Sequence, residues 1–112
     1  PTLEAAVAWV ILIIAGLFEV LWAVAMKQSQ GFTRLWPSLV TLVGMLISFA
    51  LLSWSMRSLP LGTAYMIWTG IGAIGAFAVG IVFLGEAFTP LRLIAAILIV
   101  SGLALMKLAS PA

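Results

Sequence analysis

Apolar residues fill the chain in four long runs, and polar residues gather in the short gaps between them. The runs cover about 7–27, about 37–56, about 62–84 and about 91–108. Each is close to the roughly 20 apolar residues that a helix rising ~1.5 Å per residue needs to cross a bilayer. The gaps carry turn and breaker residues: Lys27 to Arg34 followed by Pro37, then Arg57-Ser58-Leu59-Pro60-Leu61-Gly62, then Gly85-Glu86 and Thr89-Pro90. Pro90 suits the first turn of a helix, where no backbone donor is required. The pattern predicts an all-α membrane protein with four transmembrane helices in one domain, 7–110. No linker, low-complexity tract or convincing internal repeat interrupts it. Residues 1–6 open on Pro1-Thr2-Leu3-Glu4 and are set apart as an N-terminal extension or expression remnant. Without a basic n-region, and with an apolar stretch this long, the start does not read as a cleavable signal peptide.

Composition agrees. Of 112 residues, 65% are hydrophobic and 7% charged, more apolar surface than a soluble domain of this size can hide. Cysteine and histidine are absent, which excludes disulfides, thiolate metal sites and the commonest general base. No Gly-Lys-Ser/Thr phosphate loop is present, and no cofactor is implied. The net charge of +2 comes from scattered basic residues, so no nucleic-acid partner is expected. Lys27, Arg34 and Arg92 fall on one side of a four-span topology, Arg57 and Lys107 on the other. Orientation follows Lys/Arg asymmetry, and a bias of one residue leaves insertion both ways up open.

One residue breaks the first apolar run: Glu19. A carboxylate near the bilayer centre costs about 2.5–3.5 kcal/mol on insertion scales, and such residues usually bind or move something charged. At helical spacing Glu19 shares a face with Ala15, Gly16, Trp22, Ala23 and Met26. Gly16 and Ala23 allow close backbone approach, and Trp22 supplies an indole N–H. The plain alternative makes the small residues packing and Trp22 an interfacial anchor. Ser48 lies mid-span in the second segment beside Met45 and Phe49, and by itself reads equally as a hydroxyl bonded to its own helix. In the third segment Tyr65 and Trp68 share a face that Gly72 continues. Each aromatic has a polar group needing a partner when buried, although Tyr65 also fits an interfacial belt. Gly70 and Gly72 invite a bend or tight packing, and Gly72, Ala76 and Gly80 form a small-residue stripe. Ser101-Gly102 in the fourth segment points to packing or dimerisation. Glu86 and Arg92 sit at the water boundary and are assigned no chemistry.

A carboxylate away from water must be neutralised by a proton or by a cation. The two then compete for one site, and a site open to one side at a time couples their movements in opposite directions. Four short helices enclose a path poorly, so oligomerisation is expected. If both orientations coexist, an antiparallel homodimer would set two Glu19 side chains around one cavity, a symmetry that larger transporters reach with inverted repeats.

These residues resemble the small multidrug resistance family from about Val7 to Ser110. The likeness rests on Glu19, on Lys27 to Ser38 (Lys-x-Ser-x-Gly-Phe-Thr-Arg-Leu-x-Pro-Ser) and on Pro60 to Gly72 (Pro-x-Gly-x-Ala-Tyr-x-Ile-Trp-x-Gly-x-Gly). Together these motifs are specific; singly each is weak. Ala15 to Ala23, with Trp22 three residues after Glu19, is most similar to the guanidinium-exporter branch, as is Lys107. The resemblance implies an antiparallel dimer of four-helix subunits in the bacterial inner membrane, exchanging guanidinium for protons. Glu19 would bind proton or substrate, with Trp22, Ser48, Tyr65 and Trp68 as its hydrogen-bonding network and Gly16 lining the pocket. Met45 and Phe49 would face a lateral portal, Gly70 and Gly72 would mark a bend in the third helix, and the fourth helix would dimerise. Guanidinium is planar and rich in N–H donors that suit carboxylates. Alternatives are export of small quaternary ammonium, substituted guanidinium or other lipophilic cations, and a non-transporting membrane subunit whose Glu19 pairs with a partner's cation. One embedded carboxylate without His, Cys or a metal cluster makes a poor enzyme.

Overall fold

The structure, a computed structural model, describes residues 2–110. Pro1, in the expected extension, lies outside the described residues. Four helices follow in order: α1 (Leu3–Gln28), α2 (Leu35–Ser55), α3 (Leu61–Phe83) and α4 (Pro90–Ala109). All four are long and apolar enough to cross a membrane, and none of the described residues forms a strand.

α1 begins earlier than the apolar run does. Thr2 is its N-cap, its hydroxyl oxygen accepting from the Ala5 N–H at 3.1 Å, and Glu4 sits in the first turn. A capping side chain and an acid near the positive helix end both favour starting there. Residues from Leu3 onward are therefore helix, where the sequence reading set 1–6 apart. α4 starts as Pro90 predicts: Pro90 follows the N-cap Thr89, whose hydroxyl oxygen accepts from the Arg92 N–H at 3.2 Å.

The helices run up and down, joined by 29–34, 56–60 and 84–89. Contacts at the two ends agree with that order. At one end the Ser58 hydroxyl donates to the Glu4 carboxylate at 3.2 Å, and the Thr63 and Ser110 hydroxyls lie 3.3 Å apart. The Lys107 ammonium sits 4.5 Å from the centre of the Trp9 ring there too. At the other end Arg92 pairs with Glu86 at 3.3 Å.

α1 is the centre of the bundle, packed against both α2 and α3, while α4 packs against α3 alone. The core gathers Ala8, Trp9, Leu12 and Ala15 of α1 with Leu52 of α2 and Ala64, Ile67 and Trp68 of α3. None of α4 is buried. Small residues set the seams, as expected where lipid supplies little hydrophobic drive between helices. Gly16 faces Ile71, Gly75 faces Val20, Gly44 faces Trp22, and Gly70 faces Leu103 of α4. A Cβ on Gly16 would come within 2.7 Å of Ile71 Cγ2 and 2.8 Å of Ile71 Cβ. Since Ile71 Cβ is tied to the backbone, the helices themselves must part. Gly16→Ala is expected to destabilise the protomer by about 1–3 kcal/mol, the usual cost of overpacking. A lowered melting temperature of the purified protein in detergent checks this; an unchanged one would mean the α1–α3 seam is loose.

Candidate functional site

Glu19 lies about one turn past the midpoint of α1. Away from the helix ends it is the one charged side chain among the described residues of the four spans. Its carboxylate rests against the backbone of Gly72 in α3, where any Cβ would collide with Oε1. That oxygen is buried and has no hydrogen-bond partner. One turn along the same face, the Trp22 indole Nε1 is also buried and without a partner. An acceptor and a donor are thus left unsatisfied together, at a cost of about 1–3 kcal/mol for a neutral group and more for a charged one. Native structures rarely tolerate such groups without a reason, an unseen ligand or ion among them.

Around this pair the structure builds a bonded scaffold. Ser48 is fully buried. Its hydroxyl donates to the Ala15 carbonyl of α1 at 2.7 Å and accepts from the Trp68 indole N–H of α3 at 2.9 Å. The bond therefore crosses between helices and does not return to α2. In an α-helix the Ala15 carbonyl also accepts from the amide of Glu19, four residues on. Ser48 consequently holds the very turn that carries the carboxylate. Phe49 fills the gap between the two tryptophans, its ring 6.2 Å from Trp22 and 5.7 Å from Trp68. Tyr65 stacks obliquely on Trp68 at 5.6 Å and is 52% exposed.

Glu19, Trp22, Ser48, Phe49, Trp68, Tyr65 and Gly72 thus form one connected group. Met45 is partly buried one turn before Phe49, which is 44% exposed on the outer surface of α2. Gly16 sits one turn before Glu19, occupied by Ile71. Gly70 faces away, toward Leu103 of α4, and borders an apolar groove of about 420 Å³ that also takes Tyr65, Thr69 and Met106. α3 runs as one unbroken α-helix through Gly70 and Gly72. Two features escaped the sequence reading. One is the pairing of Gly44 with Trp22, which lets α2 pack closely on the base of that side chain. The other is the whole buried stripe of α2: Thr41, Gly44, Ser48, Leu52 and Ser55. Its spacing of three and four was a usable signal.

Chemically the arrangement offers a cation a carboxylate whose Oε1 no protein donor holds, with aromatic faces nearby; the Trp22 indole N–H is a donor that can answer the carboxylate but not the cation. No group of His, Cys, Asp and Glu able to hold a metal occurs among the described residues. Fold and site together define a small multi-pass membrane protein organised around an intramembrane acid. The chain belongs to the small multidrug resistance family: the family model described as Small Multidrug Resistance protein matches residues 7–100. It is similar to the guanidinium exporter of Citrobacter freundii, 53% identical over 103 residues that cover 92% of this chain and 98% of the relative. Over the same length and coverage it is 55% identical to the guanidinium exporter of Escherichia coli (strain K12). The guanidinium exporter of Salmonella typhimurium (strain LT2) is 56% identical, again over 103 residues, 92% of this chain and 98% of the relative. The family is one of membrane transporters, and this chain is a multi-pass protein of the bacterial inner membrane.

Ser48→Ala leaves the buried Trp68 N–H without an acceptor. It is expected to cost about 1–3 kcal/mol, whereas Trp68→Phe with Ser48→Ala together should cost less than the two single changes summed. A double-mutant cycle on thermal unfolding reads the coupling; strict additivity would mean the bond contributes nothing.

Proposed function

We propose that this protein exports guanidinium in exchange for protons, as an antiparallel homodimer whose two Glu19 carboxylates face one central cavity. The observation that carries the reading is the buried, unpartnered carboxylate oxygen of Glu19. The relatives named guanidinium exporter, 53–56% identical to this chain, point the same way. A guanidinium ion presents N–H donors in a plane and matches a carboxylate acceptor. Aromatic faces nearby favour a cation further.

In this mechanism each guest neutralises the carboxylate in turn. Guanidinium displaces the proton when the site faces the cell interior, and protons displace guanidinium when it faces out. A site exposed to one side at a time makes the two movements obligatory partners. Ser48 and Trp68 hold the α1 turn that carries the carboxylate, Trp22 and Tyr65 complete the proposed network around it, and Gly72 gives it room to lie flat on α3. Gly16 bounds the pocket, Gly70 and Gly72 allow α3 to flex, and Met45 and Phe49 border a lateral opening between second helices. The protein is not an enzyme in this reading, and needs no cofactor.

The dimer supplies what one protomer lacks. The protomer is only 17 Å thick along its shortest axis, less than two helix diameters. Helices one or two layers deep cannot wall a cavity. α4, which has no fully buried residue within the protomer, is the surface that associates. Opposed insertion of identical chains is compatible with the nearly balanced Lys/Arg count on the two sides.

Proteoliposomes with an internal pH indicator test the exchange. Adding guanidinium outside should draw it inward and drive protons out, so internal pH rises. Glu19→Gln should insert normally and abolish this flux; a wild-type flux in that variant would refute the role of Glu19, and no flux in the wild type would favour the non-transporting subunit. A tetraalkylammonium panel separates guanidinium export from export of lipophilic cations. Trp22→Gly should narrow the preference for guanidinium over tetraalkylammonium by about tenfold, the size of one ~1.4 kcal/mol interaction; unchanged selectivity would remove Trp22 from the specificity determinants.

A further inference from the structure

A second polar site lies at the membrane boundary, remote from Glu19 along the axis of α1. A cavity of about 500 Å³ opens where the 29–34 loop meets the end of α3, lined by Met26, Lys27, Gln28, Gln30, Gly31 and Leu84. Lys27 is exposed and forms no ion pair among the described residues. The acid on this side, Glu86, is already engaged by Arg92 at 3.3 Å.

The loop is held rigidly around the cavity. Gln30, Gly31 and Phe32 all have left-handed φ, at 49°, 74° and 65°. Ser29, fully buried, fixes this path. Its hydroxyl donates to the Met26 carbonyl at 2.6 Å and accepts from the Phe32 N–H at 3.0 Å. Its carbonyl accepts from the Thr33 and Arg34 amides at 2.9 and 3.1 Å. Gln28 and Gln30 line the cavity with Lys27, and beyond its chain neighbours Gly31 has no atom within 4 Å of where a Cβ would stand. Exposed Phe32, Leu35 and Trp36 adjoin the loop, as aromatic and apolar residues do at the headgroup level.

We propose that this cavity seats the phosphodiester headgroup of a membrane phospholipid. The Lys27 ammonium supplies the charge, the carboxamides of Gln28 and Gln30 supply N–H donors, and Met26 and Leu84 meet the first carbons below the headgroup. The mixed lining suits an amphipathic occupant better than free phosphate. The negative end of the α1 dipole reaches the same region and opposes any anion, a doubly charged one most, so the Lys27 charge in the last turn must outweigh it. A singly charged phosphodiester suits one lysine there. Basic pockets between spanning helices commonly take lipid headgroups. The inference needs only the four-span placement and stands apart from the transport reading.

Native mass spectrometry of the intact chain tests it, with phosphatidylglycerol as the probe and diacylglycerol and inorganic phosphate as comparison arms. The wild type should retain phosphatidylglycerol, not diacylglycerol, and inorganic phosphate should not displace it. Lys27→Gln should lower retention about fivefold, the effect of one interfacial cation. Arg34→Gln removes an equal charge from the same loop without touching the cavity and should leave retention unchanged. Equal loss in both variants, wild-type retention in Lys27→Gln, or displacement by inorganic phosphate would overturn the proposal.

Discussion

An acid that no protein group answers is the constraint on which this structure turns. Glu19 lies against the Gly72 backbone with Oε1 buried and unpartnered. Away from water such an oxygen is tolerable only when something positive visits it. Among the described residues no protein cation reaches that place. Gly72 contributes the absence of a side chain, and Gly44 gives the base of Trp22 a place to lie. Ser48 ties α2 to α1 and α3 at the same level, through Ala15 and Trp68. A bonded scaffold beside an unbonded carboxylate is how a membrane protein combines a fixed site with an exchangeable ligand.

The three-helix core and the outlying α4 have different duties under this account. α1, α2 and α3 share the buried residues and hold the site. α4 touches α3 alone and reaches beyond it with the side chain of Lys107, over Trp9. At its other end the Glu86–Arg92 pair fixes how the chain turns from α3 into α4. The Arg92 guanidinium also lies 5.3 Å from the centre of the Phe77 ring. An apolar helix left uncovered within a protomer is a natural place for a second copy, and in the proposed dimer the two thin protomers close one cavity between them.

Much of this was legible in the sequence. Glu19 alone in an apolar run, the breaker clusters and Pro90 at a helix start gave four spans and the central acid. Ser48 was recognisable as a mid-span hydroxyl and Trp68 as an aromatic with a polar group, and the family resemblance put both in one network, though not as a direct pair. What stayed hidden has one physical origin. In lipid the outside of a helix is as apolar as the inside, so hydrophobic periodicity no longer tells which face is covered. α4 is as apolar as α2 yet none of its residues is fully buried. Gly70 and Gly72, two residues apart, serve α4 and Glu19 respectively, and only the packed helices assign them. The start of α1 was hidden differently: a short polar cap at Thr2 outweighs the end of the apolar run.

The central claim is that proton and guanidinium neutralise the same carboxylate. Proton release on binding measures this most directly, by titration calorimetry of the detergent-solubilised protein in buffers of different ionisation enthalpy. The account predicts that guanidinium expels protons from the wild type and that Glu19→Gln expels none. Tight guanidinium binding with no proton released, at every pH where the protein is folded, would contradict it.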